Sequence, residues 1–227
     1  MKRSLLYITL MLMIYSMMGQ KGAPSMKLVP IFAGETLRLD HAYAYRGDSV
    51  VLSKLRFYLS DIRLLVEGEE VWAEQESYHL IDLAEPNSLL IPLQEEISFD
   101  EVHFKLGIDS LTNVSGAMGG DLDPTKGMYW SWNTGYINFK LEGQSPLAGS
   151  RNQRFIYHLG GYLPPYPSVQ KIQLKCEASS QILVGLDIEQ FLQAVDLEEN
   201  PNLMSPGQQC AQLAEHAASL FKILGDE

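Results

Sequence analysis

The stretch from Leu52 to Leu65 reads Leu-Ser-Lys-Leu-Arg-Phe-Tyr-Leu-Ser-Asp-Ile-Arg-Leu-Leu, and it decides the fold class. Apolar side chains recur at close to every second position, which is the period of a β-strand with one buried face. Ser60-Asp61 interrupts the apolar run and predicts a bend at that point. The chain is therefore expected to be built mainly from strands.

Similar alternation continues on both sides of this stretch, between residues 28 and 176, and Gly, Pro, Asn and Asp separate the alternating segments. Many short strands with such punctuation are typical of a sandwich or a barrel. We predict a mainly β protein, an antiparallel β-sandwich with a long polar loop and a C-terminal helix. Further strands are predicted at residues 37–45, 71–72, 78–83, 97–108, 136–141, 155–159 and 169–176.

Two regions break the alternation. Residues 109–127 are rich in Gly, Ser, Asn and Asp, and are predicted to form a long loop of the kind that often carries function. Residues 208–224 place apolar side chains at helical spacing, and Ser205-Pro206 gives a usual start signal for the C-terminal helix. Residues 187–195 are predicted to form a second, short helix.

The N-terminus predicts export. Lys2 and Arg3 precede an almost unbroken apolar run from Leu5 to Met18, followed by Gly19 and polar residues, which is the pattern of a secretory signal peptide. We assign residues 1–20 to this signal and residues 21–227 to a single domain, expected to be periplasmic or secreted. The run is too short for a stable membrane span, and no later stretch is long enough to form one.

The net charge limits the classes of binding partner, and the two cysteines predict a disulfide. The net charge of −11 and the pI near 4.9 argue against nucleic acid and anionic lipid as partners. Cys176 and Cys210 predict one disulfide in an oxidising compartment, joining a late strand to the C-terminal helix. Thiolate metal ligation is the less favoured alternative, because neither cysteine lies in a C-x-x-C pair.

The aromatic segment from Met128 to Tyr136 has two interpretations. Trp130 and Trp132 fall on one face of a predicted strand, so they are either core residues or exposed binding residues. The following Asn, Thr and Gly interrupt the strand with polar groups and a flexible position, which can mark a bulge that aims side chains.

The histidines supply the candidate metal ligands. His158 ends a strand directly before two glycines, where the backbone can approach a ligand closely. By strand alternation His41 shares a face with apolar residues and is expected to point inward, whereas His103 is expected to face solvent. Met204 is a candidate thioether, although a Met before a helix is more often core. Imidazole and thioether groups suit copper, and no local metal-binding motif is present.

The catalytic motifs are missing, so we expect a protein that is not an enzyme. No G-x-S-x-G elbow and no phosphate-binding glycine loop precedes a helix. Asp121 and Asp123 could be read as an acid and base pair, but both fall in a polar loop where nothing separates their pKa values. A hydrolase is therefore the least favoured function.

Several segments together resemble the MbnP-like family, named after the methanobactin-associated periplasmic copper-binding protein. Each segment alone is weakly specific, whereas the ordered set is more specific and spans nearly the whole chain after the signal. The matching segments are Ser53–Leu64, Phe104–Asp109, Leu122–Tyr136 with its Trp-Ser-Trp, Phe139–Gly143, Tyr157-His-Leu-Gly-Gly161 and Leu203-Met-Ser-Pro206.

The resemblance implies an exported β-sandwich that binds copper, with a tryptophan oxidised to kynurenine by a partner di-haem enzyme of the cytochrome c peroxidase type. By position it implies His158 as a copper ligand, and Trp130 or Trp132 as the modified residue. The methanobactin-linked members carry more cysteines and an Asn-His pair, where this chain has Asn113-Val114. Strand alternation alone, and not the resemblance, predicts His41 as the substitute ligand. The alternative function is an extracellular binding or adhesion module that uses surface aromatics and no metal.

Overall fold

A computed structural model describes residues 24–94, 97–132, 135–177 and 181–225. The predicted signal peptide, residues 1–20, lies outside the described residues. Within the described ranges, no helix is both long and apolar enough to span a bilayer.

The described residues are arranged mainly in strands, as the alternation predicts. The helices are α1 (Ser110–Ser115), α2 (Ile188–Gln193) and α3 (Gln208–Ser219), with short 3-10 turns at Pro86–Leu89, Gly120–Leu122 and Pro124–Lys126. The strands are β1 (Ser25–Phe32), β2 (Glu35–Thr36), β3 (Ala42–Tyr45), β4 (Asp48–Val66), β5 (Glu69–Ala73), β6 (Tyr78–Asp82), β7 (Leu90–Pro92), β8 (Glu101–Leu106), β9 (Tyr129–Trp130), β10 (Gly135–Gln144), β11 (Arg154–Gly160), β12 (Gln170–Lys175), β13 (Gln181–Asp187), β14 (Asn202–Leu203) and β15 (Phe221–Leu224).

Two sheets form the sandwich. The smaller sheet has the order β15-β13-β1-β2, with β7 also paired to β1. The larger sheet has the order β12-β8-β4-β10-β11-β14, and β3, β5 and β6 pair with other parts of the long strand β4, while β9 pairs with β10. Most pairs are antiparallel, as predicted. The pairs β1–β13 and β11–β14 are parallel, so the sandwich is mixed at these two places.

The main core lies between the two sheets. Phe221 of β15 contacts Phe57 of β4 with ring centroids 5.8 Å apart, and Phe104 of β8 at 5.6 Å. Phe139 of β10 is fully buried and packs against Phe57 and against Phe191 of α2, with ring centroids 6.2 and 5.0 Å apart. These contacts join strands of both sheets and α2 into one hydrophobic layer.

A second apolar cluster covers part of the outer face of the larger sheet. The segment between β8 and β9, predicted as a structureless loop, instead contains α1 and two 3-10 turns. Asp109 caps α1 by accepting a hydrogen bond from the backbone N–H of Thr112 at 2.9 Å. The cluster consists of Tyr58, Leu80, Ile108, Leu122, Met128, Trp130, Tyr136 and Ile137.

Two local predictions have different outcomes. The bend predicted at Ser60-Asp61 is confirmed as a bulge in β4, where Asp61 has a φ of 55° and the pairing with β8 shifts register. The C-terminal helix begins at Gln208, but its predicted end at residue 224 is wrong, because the helix stops at Ser219. Residues 221–224 extend instead and pair with β13, which lets Phe221 enter the core.

Candidate metal site

The pair formed by His158 and Glu142 lies on the outer face of the larger sheet. His158 is on β11 and Glu142 on the adjacent strand β10, and Nε2 of the imidazole lies 2.9 Å from Oε1 of the carboxylate. Both side chains are largely buried, with about one seventh of each exposed (14% and 13%). Lys54 approaches the other carboxylate oxygen at 3.4 Å. The imidazole is therefore held in one orientation by a carboxylate.

His158 begins a row of polar side chains that crosses the sheet. Strand pairing places His158 opposite Lys140, Lys140 opposite Arg56, and Arg56 opposite Asp82. Lys140 donates a hydrogen bond to the carbonyl of Gly127. Arg56 donates one to the carbonyl of Lys126, at 2.8 Å. The row thereby fixes the segment that leads into β9 and its tryptophan.

The electrostatics favour a neutral imidazole beside an ionised carboxylate. Burial lowers the pKa of His158, because it penalises the charged ring more than the Glu142 hydrogen bond favours it. Burial raises the pKa of Glu142, but the hydrogen bond from His158 and the charge of Lys54 outweigh this and hold it below its usual range. An ionised carboxylate only accepts, so we assign the Nε2 proton to His158, which leaves Nδ1 with a free lone pair.

The two tryptophans of the Trp-Ser-Trp segment differ in burial. Trp130 on β9 is buried at 5% exposure, whereas Trp132 is 64% exposed. Their ring centroids are 5.3 Å apart with an interplanar angle of 40°. They contact each other, but they do not share the same environment, so the first is a core residue and the second a surface residue.

Gly160 connects the tryptophan pair to His158. A Cβ at Gly160 would lie only 2.8 Å from Cζ3 of Trp130, so the indole occupies the space that any side chain here would need. Residues 158 and 160 lie two apart on one strand, on the same face and about 7 Å apart along it. Trp130 is thus the neighbour of His158 on the outer face.

Cys176 and Cys210, which were predicted to form a disulfide, are both free thiols in the structure. Cys210 on α3 is buried against β11, where its Sγ lies 3.3 Å from the Gly160 nitrogen and 3.2 Å from the Gly160 carbonyl oxygen. Cys176 lies just after β12 and is half-buried. Burial raises the pKa of both thiols, which keeps them protonated and disfavours thiolate ligation.

Strand pairing brings Met204 next to His158. β14 runs parallel to β11, with Leu203 opposite Tyr157, and Met204 is the next residue. Pro206, two residues on, packs 2.7 Å from the Cβ position of Gly161. Met204 therefore lies alongside His158 at the edge of the sheet, with 45% of its side chain exposed.

His41 does not join this site, and its predicted inward orientation is wrong. The residue precedes β3 and is exposed. Its Nε2 lies 3.2 Å from the Arg38 guanidinium, and its ring meets the edge of Tyr43. Asp40 has a positive φ of 56°, so the chain turns here. The alternation of inward and outward side chains before the turn therefore does not continue to His41.

Two other histidines show whether the histidine–glutamate pair is specific to the candidate site. His79 and His103 also form carboxylate pairs, with Glu74 at 2.7 Å and with Glu101 at 2.8 Å. The pairing is therefore not distinctive by itself, and the neighbouring tryptophans and Met204 set His158 apart. In the part of the chain that the structure describes, no group of three or more His, Cys, Asp or Glu could hold a metal ion.

The carboxylates considered for hydrolysis are engaged in holding the loop. Asp121 lies 2.6 Å from the Lys126 ammonium and accepts the backbone N–H of Leu80 at 3.0 Å. Asp123 caps the following 3-10 turn through Thr125 at 2.8 Å. A cleft of about 680 Å³ opens beside Asp121, lined also by Arg56 and Asp82, but those two are ion-paired at 2.7 Å.

An uncharged patch surrounds the tryptophans. We use this name for residues 110–120, 127–139, 159–170 and 200–214, which contain no Asp, Glu, Lys or Arg, although such residues make up 20% of the chain. The described parts meet through Gly135, which pairs with Trp130 and lies against Asn113 and Tyr162. Large apolar side chains exposed on the patch are Leu111, Val114, Met118, Trp132, Leu163, Tyr166 and Met204.

Asn113 ties α1 to the patch, and its role is not visible in the sequence. Its side chain accepts the backbone N–H of Tyr136 at 2.9 Å and donates to the carbonyls of Ile108 and Asp109, both at 2.9 Å. The next residue, Val114, is 69% exposed. Val114 thus faces outward from α1.

Acidification is expected to weaken the fold at His158. Because its folded pKa lies below the unfolded value of about 6.5, the unfolded chain takes up a proton first, and stability falls as the pH drops through the window below about 6.5. The lowered pKa of Glu142 extends this loss to lower pH. Urea unfolding at about pH 7 and about pH 5.5 should show a smaller loss for His158→Gln than for the parent protein. Equal losses would contradict the assignment.

Comparison with known proteins adds to this geometry. A family model described as MbnP matches residues 21–205. A solved structure titled MbnP from Methylosinus trichosporium is similar in fold, with a TM-score of 0.57 and 14% sequence identity over 78% of this chain and 79% of that chain. No curated protein matches the sequence.

Proposed function

The chain belongs to the MbnP family, and on this basis we propose that it is an exported copper-binding protein of the periplasm or the extracellular space. It acts by holding the metal and is not an enzyme. The observation that carries the proposal is the position of His158, an oriented imidazole beside a buried tryptophan and next to Met204.

The donor set fits Cu(I). A histidine that ligates a metal usually donates its other N–H to a carboxylate, and the Glu142 contact has this arrangement. The lowered pKa keeps the ring neutral, so Nδ1 of His158 can bind a metal at neutral pH. The Met204 thioether is a soft second donor of the type that Cu(I) accepts. Bound copper would supply a soft, redox-active ion at this edge of the sheet.

The tryptophan pair supports the second part of the proposal, that one indole is oxidised to kynurenine by a partner di-haem enzyme. Trp132 is exposed and in ring contact with Trp130, so a large partner can reach the pair. The uncharged patch around it has the composition of an interface core, with aromatic residues and Met enriched and charged residues depleted.

The test is a competition titration of natively expressed protein with Cu(I) and a chromophoric chelator under reducing conditions. We expect one Cu(I) per chain, and peptide mapping of the same material should place kynurenine at Trp130 or Trp132. Protein without any stoichiometric Cu(I) site would remove the metal function. Unmodified tryptophans in native material would remove only the oxidation.

Val114→His is expected to strengthen Cu(I) binding by about tenfold, or about 1.4 kcal/mol. The substitution restores the imidazole that the family resemblance implies at this position, on an exposed part of α1 next to Asn113, which binds the backbone of Tyr136. Val71→His, at another exposed valine on β5, is the control and should leave the affinity unchanged. Equal affinities for both variants and the parent would contradict the placement of the site.

The alternative function, a binding or adhesion module without metal, has one supporting observation. Trp132 is exposed within an uncharged apolar surface, as such a module requires. Trp130 is buried, so the aromatic surface available to a glycan is smaller than the sequence predicts. Glycan-array binding that is lost in Trp132→Ala, together with no Cu(I) uptake, would favour this alternative.

A further inference from the structure

Two indole rings connect the buried side of the candidate site to the surface. The Trp130 and Trp132 ring centroids are 5.3 Å apart, within the range of direct aromatic contact. Only 5% of Trp130 is exposed, against 64% of Trp132. The rate of electron transfer falls steeply with distance. A molecule in solution therefore exchanges electrons with the exposed Trp132 before it does so with Trp130.

The packing around Trp130 reinforces this order. Its benzo edge lies against the backbone of Gly160, which is fixed from the other side by the Cys210 thiol. Its strand pairs with Gly135, whose surroundings are closed by Asn113 and Tyr162. The ring contact with Trp132 thus joins Trp130 to an exposed aromatic side chain.

We propose that Trp132 relays electrons from the buried Trp130 to a one-electron oxidant at the surface. The proposal rests on the proposed function, because it assigns the path by which the tryptophan beside His158 is oxidised. Trp132 is a relay residue and Trp130 is the terminal electron donor.

The steps balance with one electron. First, one electron moves from the Trp132 indole to the oxidant, which is reduced and leaves an indole radical cation. Second, one electron moves from Trp130 to that radical cation and restores neutral Trp132. The indole N–H proton of Trp130 is then released to water, which leaves a neutral radical. No bond to oxygen forms in these steps.

The oxidant used for the test is photogenerated tris(bipyridine)ruthenium(III), a one-electron acceptor of small size. No Asp, Glu, Lys or Arg lies in the segments around Trp132, so no neighbouring side chain there binds the probe by charge. The third tryptophan, Trp72, is removed as Trp72→Phe in every protein used. The protein is produced without copper or a partner, so a failure of copper binding does not affect the outcome.

Flash photolysis with the spin trap 2-methyl-2-nitrosopropane, followed by peptide mapping of the trapped adduct, should locate the oxidised residue at Trp130 in the Trp72→Phe background. Adding Trp132→Phe should abolish oxidation of Trp130 while leaving the free energy of unfolding nearly unchanged, since the replaced ring is mostly exposed. Adding Trp130→Phe instead should still form the indole radical at Trp132, and the radical should persist there longer than in the parent because no inner indole donates an electron to it. Oxidation of Trp130 that persists undiminished with Phe at position 132 would overturn the relay. So would loss of the Trp132 radical in Trp130→Phe.

Discussion

His158→Ala is expected to weaken Cu(I) binding by about 100-fold or more, since removing an outer-shell partner of a metal ligand alone costs about 10–100-fold. The substitution removes the Nδ1 donor and leaves Met204 without a partner ligand. Glu142→Gln, which keeps an acceptor but removes the charge that orients the ring, should cost about 10-fold. Competition titration with a Cu(I) chelator measures both.

His103→Ala is the matched control for this experiment. His103 forms the same kind of contact with a glutamate, at 2.8 Å and with comparable exposure, but it lies on β8 away from the tryptophans. Its replacement should leave Cu(I) affinity unchanged. If His103→Ala and His158→Ala lower the affinity equally, binding depends on histidine number and not on this site.

Phe139→Ala is expected to lower the free energy of unfolding by about 3–5 kcal/mol, the usual cost of truncating a buried aromatic residue. The ring has no exposed surface and joins β4, β10 and α2 through its contacts with Phe57 and Phe191. For a chain of this size the melting temperature should fall by roughly 6–20 °C. Chemical denaturation and calorimetry measure these changes.

Val71→Ala provides the stability control, because Val71 is 44% exposed on β5 and should change stability by no more than about 0.5 kcal/mol. A loss below about 1 kcal/mol for Phe139→Ala would contradict a core shared by both sheets and α2. Retained Cu(I) binding in a folded Phe139→Ala protein would show that site and core are separable.

The fold was largely predictable because period-two alternation directly reports one buried face. The long strand β4 and its bend at Ser60-Asp61 were predicted from single residues and are confirmed. The parallel pairing of β1 with β13 was not predictable, since pairing joins segments far apart in the chain. β15 was mistaken for helix because Leu220, Phe221 and Leu224 also fit helical spacing, and edge pairing decided the outcome.

The family was correctly identified from its ordered motifs, and the match over residues 21–205 confirms it. The site residues were harder to predict from the sequence. A site assembled from several strands depends on the register in which the strands pair, and no local motif gives that register. The two glycines after His158 predict close backbone approach to a ligand, and in the structure Gly160 lies against Trp130 and Gly161 against Pro206. Glu142 was missed, since its contact with His158 follows from the β10–β11 register and not from any local motif.

His41 shows the limit of alternation most clearly. Asp40 has a positive φ and turns the chain. The side chains after this turn therefore do not point to the face of the sheet that is predicted from the residues before it. The disulfide was predicted from the number of cysteines and the compartment, and neither says how the two thiols lie. The helix α3 packs against both β11 and β12, but Cys210 contacts Gly160 and both thiols are free in the structure.

The most direct test of the metal site is anomalous diffraction at the copper edge from crystals of the natively expressed protein loaded with Cu(I). We expect one copper peak at about 2 Å from Nδ1 of His158, with Nε2 still bound to Glu142. A peak at any other histidine, or a fully occupied copper with His158 unligated, would contradict it.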